Sequence, residues 1–448
     1  MSAPIQLPLD LPEIDAEVAG GARLRRSILP SGVRLITEDV PGAASAAIGC
    51  FVPLGSRDET ETEYGSSHFL EHLLFKGTPT RSAREVALEF DRVGGDFNAA
   101  TSREQTVYHA RVRDHDLPMA IEVLADMLTS SLIDPVEFET ERGVILEEIA
   151  SAGDDPIDVL WERFYATHFD GHPLGRPIAG TRESILATTR DQVDAFYRAN
   201  YRPDTLVVAI AGRVDHDAAR ELLEAGLRRG GWDLDAPGAP HPRRHATPYA
   251  RTPRRRFERV ERELEQTNLI IGSHGIAATD RRRSANGMLH HILGGGMSSR
   301  LFQEVRERRG LVYSVFSFSA THADAGVMGV YVGCRPDKAA EAVRVVRAEI
   351  ERIAADGVER HEIDDALGAG AGAGALALES NAARMHRLGR AELVLGEFLD
   401  LDASVERLRS VTGEDLRELA AMLVEPGRTI ETIGPLSDEA LDELERLP

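Results

Sequence analysis

The sequence predicts an α+β protein in two homologous halves, each a mainly antiparallel sheet with helices packed on one face. Strand-like and helix-like segments follow one another in the same order twice along the 448 residues. Landmarks repeat at a nearly constant offset: Thr412 lies 223 residues after Thr189, and Gly434 lies 222 residues after Gly212. A Pro- and Arg-rich stretch, residues 232–256, separates the two passes. A fixed offset of this kind indicates a duplicated domain.

These landmarks also set the predicted domain limits. The linker has no apolar period, and its arginines form either a solvated tether on an acidic body or a binding site. The predicted organisation is a loose acidic lead-in at 1–20, a first domain at 21–231, the linker at 232–256 and a second domain at 257–448.

Periodicity and turn residues predict the elements of the first half. It begins with two strands around Pro30–Gly32 and a third strand after them. A short helix, SSHFLEHLLFK at 66–76, has Ser66 or Ser67 as its cap and Gly77 at its end. The remaining elements are a helix at 82–93, strands at 96–102 and 104–113, helices at 117–131, 135–152, 156–169 and 182–199, a strand at 205–212 and a helix at 215–229.

The second half is predicted to follow the same order. One departure is an alternating run of glycines inside a segment where the repeat predicts a helix: Gly368, Gly370, Gly372 and Gly374. Each glycine destabilises a helix interior by about 1 kcal/mol relative to alanine. The predicted elements of this half are strands within 255–275, helices at 284–296 and 298–310, strands at 312–320 and 326–334 and a long helix at 336–353.

Composition bounds the partners and the setting. The formal net charge is −22, and this acidity opposes binding to the phosphates of nucleic acid. A cationic or unfolded peptide suits such a surface, although the acidity would equally serve solubility alone. Cys50 and Cys334 lie in apolar, strand-like runs and are predicted to be buried free thiols. The sequence shows no signal-peptide pattern and no membrane-length apolar stretch, so we expect a soluble, reducing, cytoplasmic setting without membrane contact.

The short helix at 66–76 carries the first chemical signal. His68 and His72 are four residues apart, so their side chains lie on the same side and can share one metal ion. Imidazole suits Zn²⁺, and a catalytic zinc typically takes three protein ligands and one water. Glu71 follows His68 by three residues in the order H-x-x-E-H and can take a proton from that water. An ordinary exposed helix face would show the same residues, so the motif alone leaves the choice open.

A third ligand has to come from another segment. The predicted helix at 135–152 is rich in acids, and Glu141 and Glu148 are seven residues apart on nearly the same face. Glu147 falls off that face and is the weaker candidate. A solvated acidic helix side is the competing interpretation, but the apolar neighbours of the pair favour a helix that faces a metal.

Three segments together resemble the pitrilysin/insulinase family of zinc metallopeptidases. They are HFLEHLLFKGT at 68–78, GGDFNAATSREQTVYHARV at 94–112 and ERGVILEEI at 141–149. The resemblance extends from about residue 22 to residue 436. It is strongest to the branch of the mitochondrial processing peptidase, in its bacterial two-domain type. The fold of this family, two α+β halves of similar topology, agrees with the repeat described above.

The resemblance implies a role for each residue of the metal motifs. In the family the third ligand lies about 76 residues after the second histidine, and Glu148 lies 76 residues after His72. By this resemblance His68, His72 and Glu148 bind one Zn²⁺ per chain. Glu71 is then the general base, and Glu141 supports the site from close by.

The strand predicted at 96–102 is a candidate seat for the substrate. An edge strand can hold an extended peptide through main-chain hydrogen bonds that do not depend on sequence. By the resemblance this strand does so, with Asn98, Ala99 and Ala100 as the substrate-binding residues. The alternative for Asn98 is a purely structural role at the end of the strand.

The second half lacks the metal motif. His290 stands where Glu71 stands in the first half, and no counterpart of Glu148 occurs near Leu367. We therefore predict that His290 and the adjacent His291 are structural residues and not metal ligands.

This half carries a different motif, SSRLFQEVRERRGLVYSV at 298–315. In the family, an Arg and a Tyr seven residues apart in this segment approach the zinc site from outside and stabilise the substrate carbonyl. Arg306 and Tyr313 have that spacing. The residues alone do not distinguish Arg306 from its neighbours in the segment, which are Arg300, Arg308 and Arg309.

The sequence thus predicts a zinc endopeptidase that cleaves peptides or unfolded segments held as an added strand in a closed chamber. In the family four such domains enclose the peptide, which implies a homodimer of this two-domain chain. The rival hypothesis is a non-catalytic scaffold or assembly partner of the same fold. The intact set of His68, Glu71, His72 and Glu148 argues against that rival.

Overall fold

A computed structural model describes residues 3–244 and 255–446 of the chain. The part of the predicted linker at 245–254 lies outside the described residues. Within the two described ranges, no helix combines the length and the apolar character needed to cross a membrane.

The strands are β1 (Ile5–Gln6), β2 (Glu13–Val18), β3 (Ala22–Ile28), β4 (Arg34–Asp39), β5 (Ser45–Val52), β6 (Asp96–Thr101), β7 (Thr106–Arg113), β8 (Val207–Gly212), β9 (Arg256–Val260), β10 (Thr267–Gly275), β11 (Val312–Thr321), β12 (Gly326–Cys334), β13 (Glu397–Phe398) and β14 (Thr429–Ile433). The helices are α1 (Ser66–Leu73), α2 (Ala83–Asp91), α3 (Leu117–Ser130), α4 (Pro135–Asp154), α5 (Pro156–His168), α6 (Arg182–Ala187), α7 (Arg190–Asn200), α8 (His216–Arg229), α9 (Arg283–Gly294), α10 (Ala339–Asp356), α11 (Arg360–Ala377), α12 (Asn381–Arg390), α13 (Leu401–Arg409), α14 (Gly413–Val424) and α15 (Asp438–Glu445).

The chain forms two compact units, and each takes a segment from the opposite half of the sequence. Helix α5 comes from the first half and belongs to the second unit, whereas α12 and β13 come from the second half and belong to the first unit. Of the described residues, the first unit contains 3–151, 176–243 and 374–402, and the second contains 152–175, 244, 255–373 and 403–446.

The sheets of the two units have the same topology over five strands. In the described part of the chain, the first sheet has seven strands in the order β2-β3-β4-β8-β5-β7-β6, and the second has five in the order β9-β14-β10-β12-β11. The pairs β4–β8 and β9–β14 are parallel, and the other pairs are antiparallel. Strands β2 and β3 extend the first sheet beyond the shared pattern. The prediction of an α+β fold in two similar, mainly antiparallel halves is confirmed.

The landmarks of the repeat have the same structural role in both units. Thr189 and Thr412 are the N-caps of α7 and α14. Each accepts a hydrogen bond from the backbone N–H of the residue three positions later, whose side chain accepts one from the backbone N–H of the threonine. Gly212 and Gly434 follow the same pattern at the ends of the central strands, with φ of 117° and 109°. This left-handed backbone region favours glycine, which explains why the sequence repeats it.

Apolar side chains cover both faces of the first sheet. One face packs against helices that include α1 and α3, with Ile48 and Tyr108 in its core. The other face packs against α12 through Phe51 and Met385. At Gly389 of α12 an added Cβ would lie 2.3 Å from the Phe51 ring, so only glycine allows this close approach.

The second sheet has a similar arrangement, with α5 packed against β10 and β14 around Phe164 and Ile270. The prediction placed helices on one face of each sheet. The other face also carries one helix, and it is supplied by the opposite half of the sequence.

Three local predictions were wrong. The lead-in is not loose, because Glu13–Val18 form strand β2 with alternating exposure. The helix predicted at 182–199 is two helices, α6 and α7, separated where Thr188 has extended backbone and Thr189 begins a new cap. The N-cap of α1 is Gly65, whose left-handed backbone precedes the helix, and not Ser66 or Ser67.

Candidate metal centre

Helix α1 is positioned by its apolar face. Phe69, Leu70 and Leu73 are buried in the core of the first unit, and Phe69 stacks on Phe138 of α4 at 4.5 Å. The chain continues in a 3₁₀ turn to Lys76 and leaves the helix at a glycine with φ of 127°. The polar face of α1 is thereby held against α4, which carries the acidic residues.

His68, His72 and Glu148 converge on one point. The Nε2 atoms of His68 and His72 lie 3.7 and 3.5 Å from Oε2 of Glu148, and the three candidate ligand atoms lie within 4.8 Å of one another. Ligand atoms at zinc distances of 2.0–2.2 Å in a tetrahedron are about 3.3 Å apart. Two imidazoles and one carboxylate are also a donor set that zinc favours. The residues therefore fit the predicted Zn²⁺. Among the described residues, Glu147 is not part of this group.

Glu141 orients His72. Its Oε2 lies 2.9 Å from Nδ1 of His72, and its Oε1 lies 2.6 Å from Nζ of Lys76. Burial raises the pKa of Glu141, but the hydrogen bonds from Lys76 and His72 outweigh it and leave the pKa below its ordinary value. A carboxylate that accepts from Nδ1 leaves Nε2 of the same ring free to face the metal.

The role of Lys76 was not predicted from the sequence. It follows His72 by four residues, so the spacing of helix neighbours could have suggested it. It accounts for why Glu141 keeps its charge although only 3% of its surface is exposed.

The surroundings favour a neutral His68. Burial lowers the pKa of His68, and the neighbouring His72 lowers it further, while the charges of Glu71 and Glu148 oppose both. Neutral imidazole is the form that binds a metal, so burial prepares this ligand.

Glu71 lies half-buried on the same helix. Its charge acts on His68, and it also contributes, after burial, to the raised pKa of Tyr108. Tyr108 belongs to β7 and shares a hydrogen bond of 2.9 Å with the hydroxyl of Tyr201. Glu71 therefore lies near His68 and near Tyr108 of β7, the strand that pairs with β6.

Strand β6 is at the edge of the first sheet in the described structure, as a peptide-binding strand requires. Asn98 is paired with His109 of β7, and its Oδ1 accepts a hydrogen bond of 2.8 Å from the N–H of Ala99. Ala99 is buried, whereas Ala100 is exposed. The Asn98 side chain thus shapes its own strand, and its contact with a substrate stays a prediction.

Arg306 and Tyr313 lie together in the second unit. The Arg306 guanidinium lies 4.8 Å from the ring centre of Phe302 and 5.5 Å from that of Tyr313. Its helical segment, Phe302–Glu307, has π-type hydrogen bonding. Tyr313 belongs to β11, the edge strand that corresponds to β6, and 73% of its surface is exposed.

The structure distinguishes Arg306 from the other arginines of this segment. Arg300 forms a bidentate pair with Glu362, at 2.7 and 2.6 Å. Arg308 and Arg309 both pair with Glu304. Their neighbours are acids, whereas the described neighbours of Arg306 are aromatic rings.

His290 is buried in α9, and burial lowers its pKa to about 4. Among the described residues, the group of potential metal ligands includes neither His290 nor His291. Their structural role stays a prediction.

The fold and the site define a class of protein: two α+β units of shared topology, with an H-x-x-E-H helix and a distant glutamate in the first unit only. Residues 34–182 match the family described as insulinase, peptidase family M16. Residues 187–369 match the peptidase M16 inactive domain. An uncharacterized zinc protease of Streptomyces coelicolor is 44% identical, over 95% of this chain and 92% of its own. An uncharacterized zinc protease of Bacillus subtilis is 34% identical, over 92% and 98%.

The chain belongs to peptidase family M16, and the family prediction made from its motifs is confirmed. The crystal structure of a protease from Helicobacter pylori has a TM-score of 0.82, covering 92% of this chain and 99% of that chain. At 23% identity, this likeness shows the fold alone. The zinc prediction agrees with the names of the relatives and with the donor set of the site.

Proposed function

We propose that this protein is a zinc-dependent endopeptidase that cleaves peptides or unfolded segments of proteins. The observation that carries the proposal is the convergence of His68, His72 and Glu148 on one point, with Glu71 on the same helix face. Membership of a peptidase family and relatives named zinc proteases support it. The resemblance to the mitochondrial processing peptidase branch stays a prediction.

The residues of the site have complementary roles in this reaction. Zn²⁺, when bound, polarises the scissile carbonyl and lowers the pKa of the attacking water. Glu71 takes the proton of that water and delivers it to the leaving amine. Glu141 holds His72 in the ligating orientation and is itself held by Lys76. Arg306 and Tyr313 stabilise the negative charge that develops on the carbonyl oxygen.

The substrate is an extended peptide that pairs with the free edge of β6. Asn98, Ala99 and Ala100 lie on that strand, and main-chain pairing there would accept many sequences. The formal net charge of −22 favours cationic peptides over acidic ones. The reducing, cytoplasmic setting stays a prediction, with which the buried free thiols of Cys50 and Cys334 agree.

The active species in this proposal is a homodimer that encloses the peptide, and the second half of one subunit completes the zinc site of the other. The exposure of Tyr313 supports it, because a tyrosine with an exposed ring is available to a partner. Mixing Glu71→Gln subunits with Tyr313→Phe subunits tests it. Activity should return in mixed dimers, whose presence a tagged pull-down verifies. Mixed dimers without activity, or an active monomer in light scattering, would reject the shared site.

The endopeptidase proposal itself is tested by metal analysis and a quenched fluorescent peptide. The purified protein should contain one zinc per chain and cleave the peptide. A chelator should stop cleavage, and added Zn²⁺ should restore it. A protein that binds zinc but cleaves none of a broad peptide set would favour the alternative, a non-catalytic scaffold of the same fold.

A further inference from the structure

The first turn of α1 has no cap from its own N-cap residue. That residue, Gly65, has φ of 91°, and a Cβ added to it would lie 2.6 Å from Cδ1 of Ile185 and 2.8 Å from the carbonyl oxygen of Ala179. The Ser, Thr, Asp or Asn that usually caps a helix cannot occupy this position without strain. The carbonyl oxygen of Glu63 accepts a hydrogen bond of 2.8 Å from the N–H of Ser66, and the other N–H groups of this first turn need another acceptor.

Glu59 supplies that acceptor from the preceding loop. Its Oε2 accepts a hydrogen bond of 2.9 Å from the N–H of Gly65, and its Oε1 accepts one of 2.8 Å from the N–H of Ser67. The side chain is buried, with 1% of the residue exposed. A negative charge at the N-terminus of a helix is also favoured by the helix dipole. The two oxygens thus fix the N-cap residue of α1 and Ser67, the residue immediately before His68.

The loop that carries Glu59 is itself fixed. Arg176 donates hydrogen bonds to the backbone carbonyls of Arg57, at 3.0 Å, and of Glu59. Its guanidinium also lies 5.2 Å from the ring centre of Tyr64. Arg176 therefore holds the backbone of Glu59 in place, and the Glu59 carboxylate faces the first turn of α1.

This arrangement carries a cost to the stability of the fold. Burial raises the pKa of Glu59 to about 7. The hydrogen bonds from the two backbone N–H groups oppose this rise, and the charge of Glu63 adds to it. Since this pKa is above the ordinary 4.5, the free energy of unfolding falls as pH rises from about 4.5 to 7. The folded protein therefore favours the protonated form of Glu59, and ionisation of this side chain lowers the free energy of unfolding.

We propose that Glu59 is a positioning residue of the metal centre, whose ionised carboxylate fixes the first turn of α1 and thereby directs His68 towards Glu148. This inference rests on the proposed function, because it requires His68 to be a zinc ligand. It differs from the role of Glu141, which acts on a ligand side chain, in that Glu59 acts only through the backbone of the helix.

Glu59→Gln tests the inference, with Glu63→Gln as the matched control. Glutamine keeps the size of the side chain but turns an NH₂ group towards one of the backbone N–H groups. Glu63 is on the same loop, and its carboxylate accepts from the N–H of Thr60 and not from α1. Two quantities are measured at pH 8 and pH 6: the zinc dissociation constant, by competition with a chelator, and the melting temperature of the metal-free protein.

At pH 8, Glu59→Gln should weaken zinc binding about tenfold, the lower end of the effect of groups that orient metal ligands. The metal-free melting temperature should change little, because removal of a buried charge offsets the loss of one cap hydrogen bond. At pH 6, where wild-type Glu59 is mostly protonated, the ratio of the two dissociation constants should shrink. Glu63→Gln should keep the wild-type zinc affinity at pH 8, where Glu59 is mostly ionised in both proteins.

Unchanged zinc affinity in Glu59→Gln would overturn the inference. A fall in the metal-free melting temperature that accompanies the loss of zinc affinity would also overturn it, because Glu59 would then support the fold in general. Neither measurement depends on peptide cleavage. A wild-type protein that binds zinc but cleaves no peptide would therefore contradict the proposed function and leave this test intact.

Discussion

Helices α4 and α11 occupy corresponding positions in the two repeats. They differ in composition, because α4 carries acidic residues where α11 carries small ones. α4 presents Glu141 and Glu148 on one face, where they meet the histidines of α1. α11 presents small residues instead: of its alternating glycines, Gly370 and Gly374 approach Leu408 and Leu401 of α13. The same position of the repeat thus carries acids beside two histidines in α4 and small residues that allow close helix packing in α11.

The helices α1 and α9 differ in the same way. In α1 the polar residues at the site are half-buried and face one another. In α9 the position of Glu71 is taken by His290, which is buried and held neutral. The comparison teaches that shared topology positions these helices, whereas a few side chains decide whether a site exists.

The largest expected effect comes from Glu71→Gln. Loss of the proposed general base should lower kcat about a thousandfold, within the range known for such groups, while zinc content is unchanged. His290→Leu, at the corresponding position of the second unit, should keep kcat near the wild-type value. Single-turnover cleavage and metal analysis of both variants check this. Loss of zinc from the Glu71 variant, or retained activity, would show that the base is assigned wrongly.

The next effect separates two adjacent acids of α4. Glu148→Gln should weaken zinc binding more than about 100-fold, beyond the loss expected from residues that only orient ligands. Glu147→Gln removes the same charge one position away and should change the dissociation constant little. Competition with a chelator measures both. Similar losses in the two variants would mean that overall charge, and not ligation by Glu148, holds the metal.

Much of this site could be predicted because its signals are local or have a fixed spacing. His68 and His72 share a helix face, and the caps at Thr189 and Thr412 reveal the repeat directly in sequence. The residue Glu59 could not be predicted in this way. Its partners are backbone N–H groups, which leave no side-chain pattern in the sequence.

The exchange of α5 and α12 between the halves was missed for a related physical reason. Periodicity identifies an amphipathic helix but does not state which sheet its apolar face covers. Met385 and Leu388 would suit the core of either unit, and only the structure shows them against β5 and β8. The strand β2 was different, because the alternation from Glu13 to Val18 was present in the sequence and was misread as a loose segment.

A smaller effect concerns the pH dependence of stability in the second unit. His290 has a pKa of about 4 when folded against an ordinary 6.5, so unfolding is favoured as pH falls through that window. This group alone should remove about 2 kcal/mol of stability between pH 8 and pH 5. In His290→Leu the loss over this pH range should be smaller by that amount, as measured by urea unfolding. His291→Leu is the control, and an equal pH dependence in all three proteins would show that His290 does not stay neutral.

The smallest effects distinguish the glycines of α11. At Gly368 and Gly372 an added Cβ meets no atom within 4 Å, so alanine fits both positions. Each substitution should stabilise the helix by about 1 kcal/mol, the ordinary difference in helix propensity. At Gly370 the added Cβ would lie 3.0 Å from Cδ1 of Leu408, so the same substitution should gain less or destabilise. Hydrogen exchange of the α11 amides in the three single variants measures the order. If Gly370→Ala protects these amides as well as the other two substitutions do, that result would show that close packing on α13 is not the reason for glycine there. The difference between α4 and α11 would then be only that α11 lacks the acids of α4.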